Sequence, residues 1–276
     1  FLSLLSGYPV AFTISGVSLL FALLGSLFNV FDLAFVSALP NRIYGIMTND
    51  LLISVPLFVF MGVMLQKSKI AEELLQAMGL LMQNIRSGLT VSVTIVGALL
   101  AASTGIVGAT VITMGLLSLP TMLKEGYSPA LATGTICAAG TLGQIIPPSI
   151  VLILLSDQIS ASYQQAQLAL GNFSPEAVSV TDLFMGALIP GLFLVFLYII
   201  WQIINSYINP SSVPLKIKKT KKEIFKIYKT VFMALMPPLI LIISVLGSIL
   251  AGFATPTESA GVGAFGSIIL AYLKKQ

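Results

Sequence analysis

The sequence predicts an all-α protein that passes through a lipid bilayer several times, and three observations carry that expectation. Of its 276 residues, 57% are hydrophobic and only 9% are charged, whereas a water-soluble domain carries charge on about a quarter of its residues. The apolar residues fall in long stretches, several near the roughly 20 residues that a helix needs to cross about 30 Å of hydrocarbon. The basic residues gather where such stretches end.

Taken in chain order, residues 8–28, 50–66, 127–156, 183–207, 230–252 and 256–273 read as membrane helices. Residues 31–48 are shorter and more mixed, and residues 71–86 set Glu72, Glu73 and Arg86 among leucines and methionines. Both read as interfacial helices lying along the membrane surface. In the segment 89–123, two apolar runs flank a centre of small polar residues, Ser103 to Thr110. Each run has about 14 residues, which rise only about 21 Å as helix. The segment therefore reads as a re-entrant hairpin whose tip stops inside the membrane, against the alternatives of one long kinked span or two tilted ones.

The positive-inside rule supplies the orientation. The densest basic run, Lys216, Lys218, Lys219, Lys221, Lys222, Lys226 and Lys229, is placed in the cytoplasm. Counting spans from that anchor puts Lys67, Lys69, Arg86, Lys124, Lys274 and Lys275 on the same side, and Arg42 alone of the 14 basic residues outside. The stretch 157–182, with Asp157, Glu176 and Asp182 and no Lys or Arg, is then external, and its acids read as solvated loop residues.

Composition also excludes chemistry. Histidine is absent, so Ser-His and Cys-His dyads, HExxH zinc sites and histidine proton relays are ruled out. The single cysteine, Cys137, lies in a run of small residues and reads as a packing residue. Phosphate-binding glycine motifs are missing, so nothing points to ATP hydrolysis or to any enzyme. The net charge of +4 sits at span ends, which points to topology and anionic lipid rather than to nucleic acid.

Three places bring polar atoms to membrane depth. At the hairpin tip, Ser103, Thr104 and Thr110 supply hydroxyls, while Gly105, Gly108 and Ala109 permit an unwound turn. One half-helix end there offers carbonyls to a cation and the other offers amides to an anion. The second place is Gly140-Thr141-Leu142-Gly143-Gln144-Ile145-Ile146-Pro147-Pro148-Ser149, where two prolines remove two amide donors, so the helix must break and free its carbonyls. The third is Thr255-Pro256-Thr257-Glu258, where Thr255 caps a helix that Pro256 starts. Capping suffices to explain it, with a direct part for Thr257 or Glu258 in binding as the lesser reading. A sodium ion, and no organic cofactor or other metal, is the expected ligand beside the substrate.

These residues together resemble the large membrane subunit of tripartite ATP-independent periplasmic (TRAP) transporters. The matching pieces are Gly7-Tyr8-Pro9-Val10-Ala11-Phe12, Pro56 to Gly62, Gly108-Ala109-Thr110, Gly126-Tyr127-Ser128, Gly140 to Ser149, Asp182 to Gly191 and Thr255 to Glu258. They run through nearly the whole chain. Leu155 to Gln158, with a longer external insert, looks more like the mannitol and chloroaromatic branch.

The resemblance implies a multi-pass protein of the bacterial inner membrane that imports organic acids with sodium. It also implies two partners, a small membrane subunit and a periplasmic binding protein, and an elevator motion of two inverted repeats. The chain opens on Phe1 rather than Met, and reads as a fragment holding the first repeat and the start of the second. The expected division is 1–86 as scaffold spans and interfacial helices, and 87–156 as hairpin and broken helix. Residues 157–182 follow as the external segment, 183–252 as two spans joined by the basic loop, and 253–276 as the opening helix of the second repeat. The Gly, Ala, Ser and Thr density of 89–149 marks a moving domain, and the Leu, Ile and Phe richness of 8–28 and 183–207 marks a static one. A carboxylate elevator of another family that needs no binding protein, and an ion channel or passive pore, are the competing readings.

Overall fold

A backbone that leaves water must pair its N–H and C=O groups within its own segment, which favours helices wherever apolar runs are long. Each predicted span is accordingly built from helix. The computed structural model describes residues 2–68, 70–82, 85–175, 177–214 and 221–273, without the side chains of residues 101, 104, 221–227 and 230. Expectations resting on Lys69, Glu176, Lys216, Lys218, Lys219, Lys274 and Lys275, and on the side chains of Thr104, Lys221, Lys222 and Lys226, lie outside the described residues. No strand occurs among the described residues.

The described chain divides into two units, residues 1–49 and 50–276. The first contains α1 (Val10–Leu27) and α2 (Leu39–Met47), with a 3-10 turn before each. Helix α1 follows Pro9, whose fixed φ suits a helix entry, and none of its 18 residues is buried. The expected interfacial piece 31–48 forms a 3-10 turn, Leu33–Ala38, started by Asp32 accepting from the Ala34 amide at 2.9 Å, and then α2.

The second unit holds α3 (Asp50–Lys67), α4 (Ile70–Met82), α5 (Gly88–Thr104), α6 (Val107–Lys124), α7 (Pro129–Thr141), α8 (Ile150–Ala169), α9 (Val180–Ile208), α10 (Lys221–Leu250) and α11 (Pro256–Leu273). Five described helices, Val10–Leu27, Asp50–Lys67, Val107–Lys124, Val180–Ile208 and the Val231–Leu250 part of α10, are long and apolar enough to cross a membrane. The chain is an all-α polytopic membrane protein.

Helix α4 buries Ala71, Leu74, Leu75, Ala77 and Met78 in a core shared with α5, α6, α7 and α10, and Ile70 in a second cluster with α3. Its apolar face is therefore covered by protein, while Glu72 and Glu73 stand in its first turn, where the helix dipole favours acids. Helix α11 buries small residues, Ser259, Gly263, Ser267 and Ala271, and packs closely on α3 and α10. Two helices outrun their spans: α8 continues to Ala169, into the stretch expected outside, and α10 begins at Lys221, within the basic run.

The segment 89–123 forms two helices joined by Gly105-Ile106. A single kinked span would hold residues 97 and 111 about 21 Å apart. Instead Gly97 lies against Ala139 and Val111 against Gly140, neighbouring residues of α7, so α5 and α6 fold back as a hairpin.

Candidate functional site

The hairpin tip turns at Gly105, which has φ +58°. A side chain is disfavoured there on two counts, because that φ suits glycine and a Cβ would lie 3.0 Å from Ile150 Cγ1 at the start of α8. Around it the hydroxyls turn back onto their own helices. Ser103 Oγ donates to the Leu100 carbonyl at 2.7 Å and Thr110 Oγ1 to the Ile106 carbonyl at 2.9 Å, and both residues are buried. Donating leaves lone pairs on the Ser103 oxygen that can accept from a donor or a cation. Ala109 is half-buried, and Gly108 is exposed with open space where a Cβ would be.

The double proline breaks the helix as its chemistry requires. Helix α7 ends at Thr141, whose Oγ1 donates to the Ala138 carbonyl at 2.8 Å, and a 3-10 turn, Leu142–Gln144, carries the chain to Pro147 and Pro148. Ser149 closes the break: it donates to the Gln144 carbonyl at 2.8 Å and caps α8 by accepting from the Leu152 amide at 3.3 Å. Gly140, Gly143, Pro147, Pro148 and Ser149 are all buried. Gly140 is held against the hairpin, since a Cβ on it would lie 2.3 Å from Val111 Cγ2 and 3.2 Å from the Val111 backbone.

Tip and break meet through Gln144. Its Nε2 donates to the Gly105 carbonyl at 2.7 Å, across 39 residues of sequence. Its Oε1 is buried and has no partner among the described residues. Leaving such an oxygen unpaired costs about 1–3 kcal/mol, so the junction keeps one acceptor open at a stability cost. An open amide oxygen can accept a cation or a proton donor.

The third place is different. Thr255 and Glu258 form a reciprocal cap, with the Thr255 amide and hydroxyl donating to Glu258 Oε2 at 2.8 and 2.9 Å. Thr257 Oγ1 donates to the Asp50 carbonyl and ties α11 to α3. These bonds account for both residues within the α3–α11 pair, and none of them joins the tip or the break. A cavity of about 660 Å³ opens at the feet of the hairpin, between Glu72, Arg86, Glu125 and Tyr127, away from the tip.

Sequence reasoning passed over one buried polar contact. Gln202 of α9 donates from Nε2 to Thr94 Oγ1 of α5 at 2.6 Å, and both residues are buried. Its Oε1 also lacks a partner among the described residues. The signal was available, because an amide inside an apolar span is costly enough to need a reason.

The family model described as "Tripartite ATP-independent periplasmic transporter, DctM component" matches residues 1–276. The chain belongs to this family. It is a member of the DctM group of transporter permeases, not of an enzyme family. The C4-dicarboxylate TRAP transporter large permease protein DctM of Vibrio cholerae serotype O1 is 30% identical over 268 residues, covering 96% of this chain and 52% of that protein. A putative TRAP transporter large permease protein of Haemophilus influenzae is 31% identical over 214 residues, covering 77% of this chain and 47% of that protein. The ectoine TRAP transporter large permease protein TeaC of Halomonas elongata is 27% identical, covering 80% of this chain and 47% of that protein. The chain thus spans about half the length of these curated DctM relatives.

Proposed function

We propose that this chain is part of the permease of a sodium-coupled importer of organic acids in a bacterial inner membrane. The permease receives its substrate from a periplasmic binding protein and works beside a small membrane subunit. DctM membership favours this over a carboxylate elevator of another family. The observation that carries the sodium site is the Gln144 bridge, which joins tip and break and leaves an amide oxygen unpaired. Sodium takes oxygen ligands at broken helices, from unwound carbonyls and the ends of half-helices. The residues proposed to hold ion and substrate are Ser103, Thr104, Gly105, Gly108, Ala109, Thr110, Gly140, Thr141, Gly143, Gln144, Pro147, Pro148 and Ser149. Thr257 and Glu258 keep a lesser claim, since the cap already uses them. The C4-dicarboxylate named in the Vibrio relative favours a carboxylate substrate, and the ectoine named in the Halomonas relative widens the set to be tried.

The reading is tested with the full-length permease and both partners in sealed proteoliposomes, measuring uptake of a labelled C4-dicarboxylate. An imposed sodium gradient should drive accumulation above the outside concentration. Equilibration without accumulation would mean a passive pore, and accumulation indifferent to sodium would remove the ion from the mechanism. Orientation is tested in spheroplasts with cysteines at exposed Asn172 and Lys229 in a Cys137→Ser background. An impermeant thiol reagent should reach only residue 172 from outside, and labelling of both would overturn the topology.

A further inference from the structure

The cavity at the feet of the hairpin carries charges of both signs that do not pair with one another. Glu72 of α4, Arg86 just before α5 and Glu125 just after α6 all line it. Among the described residues none of the three forms an ion pair. Glu72 Oε1 accepts from Gln76 Nε2 at 3.2 Å, and the Arg86 guanidinium stands over the Tyr207 ring, 6.0 Å from its centre. A ring on the guanidinium face leaves the in-plane fork of N–H donors for another partner. Tyr127 lines the same cavity and is only 4% exposed, and its hydroxyl oxygen accepts from the Leu89 amide at 3.2 Å. That bond uses a lone pair, and among the described residues no acceptor takes the hydroxyl proton.

One guanidinium, two carboxylates and an unspent O–H donor suit a ligand that carries an anion and a cation together. A simple anion would meet Glu72 and Glu125 as like charges, and a simple cation would meet Arg86. A phosphate accepts from an arginine fork and a hydroxyl, while a primary ammonium donates to carboxylates. The cavity, about 660 Å³, falls within the roughly 300–1,000 Å³ of small-molecule pockets. Its apolar rim favours a lipid over a soluble zwitterion. Leu80, Ile85 and Leu116 line the cavity and are exposed, Leu116 at 74%. Ile112, one turn away from Leu116 on α6, is 64% exposed. An apolar track therefore leads from the cavity along a helix long and apolar enough to cross a membrane. A soluble ligand would leave that track bare, whereas an acyl chain covers it.

We propose that the cavity is the headgroup site of an aminophospholipid of the phosphatidylethanolamine class. Arg86 and the Tyr127 hydroxyl hold the phosphate, Glu72 and Glu125 hold the ammonium, and an acyl chain lies along Leu116 and Ile112. The bound lipid joins α4 to both feet of the hairpin. The site is apart from the junction of tip and break and stands whether or not sodium drives transport.

The test uses the full-length permease with its partners, stripped of lipid in detergent and titrated with phosphatidylethanolamine, phosphatidylcholine or phosphatidylglycerol of the same acyl chains. Native mass spectrometry counts the lipids bound per complex. The unsubstituted complex should hold one phosphatidylethanolamine at least about fivefold more tightly than either other lipid, because choline has no N–H donor and the glycerol headgroup has no cation. Equal retention of all three would overturn the proposal without any variant. Arg86→Gln should remove the tight binding event. Glu72→Gln with Glu125→Gln should remove it too and turn the preference toward phosphatidylglycerol. Tight binding that persists in both variants, with unchanged melting temperatures, would place the lipid elsewhere and overturn the site. Glycerophosphoethanolamine, the same headgroup without acyl chains, should fail to displace the lipid at equal concentration. Displacement would mean that the cavity takes a soluble zwitterion, and would overturn the lipid assignment.

Discussion

The junction of hairpin and broken helix and the α3–α11 pair are both close-packed through glycine, yet they treat their polar atoms in opposite ways. In the α3–α11 pair, a Cβ on Gly263 would lie 2.6 Å from Met61 Sδ and 2.9 Å from Val245 Cγ2. There the polar groups around α11 are matched: Ser259 shares a hydrogen bond at 2.8 Å with Ser248 of α10, Thr257 donates to the Asp50 carbonyl of α3, and Thr255 and Glu258 cap each other. At the junction the packing is as tight around Gly140, but Gln144 Oε1 is left open. Small residues therefore mark close approach in both regions and do not by themselves mark the site. The unpaired oxygen separates them.

The comparison breaks most visibly if the two contact glycines respond alike. Gly140→Ala should cost about 2 kcal/mol and abolish uptake, because the new methyl meets a stiff β-branched side chain and the Val111 backbone. Gly263→Ala should cost less, since the nearest atom is the flexible end of Met61 and Val245 Cγ2 lies at 2.9 Å with no backbone atom beside it, whereas Gly140 meets both the side chain and the backbone of Val111. Thermal unfolding of the full-length protein in detergent gives the order, and an equal or greater loss at 263 would overturn the distinction.

Gly108 sharpens the same contrast, because it lies at the tip with open space around it. Gly108→Val should abolish sodium-dependent uptake while the melting temperature stays put. Normal uptake would remove the tip from the site. Gln144→Leu deletes the open oxygen and should lower sodium-driven uptake at least tenfold without loss of folded protein. If sodium dependence survives intact, the open oxygen has no part in coupling. The smallest effect is expected at the matched pair: Ser259→Ala should cost about 0.6 kcal/mol, the usual size of an interhelical bond in a membrane, and leave the sodium dependence of uptake as it was. A change in coupling there would mean that α11 takes part in the site.

The membrane helices and the break were legible in the sequence, because these follow from local properties, whereas the hairpin was one of three readings until Gly97 and Val111 were seen to meet neighbouring residues of α7. Hydropathy places the spans within a few residues of α1, α3, α9 and α11. The loss of two amides at Pro147 and Pro148 requires an interruption wherever the rest of the chain lies. The overruns of α8 and α10 were hidden because helix continues through polar residues once a stable turn precedes them, and hydropathy sees only the apolar part. That Gln144 reaches the tip, that Gln202 bonds to the hairpin and that Thr257 belongs to the α3–α11 contact became visible once the helices were packed. Packing also separates Gly140, pressed against Val111, from Gly108, where a Cβ would meet open space. The two glycines read alike in sequence, because what a missing side chain makes room for, or which polar atom loses its last partner, depends on helices that meet from distant parts of the chain.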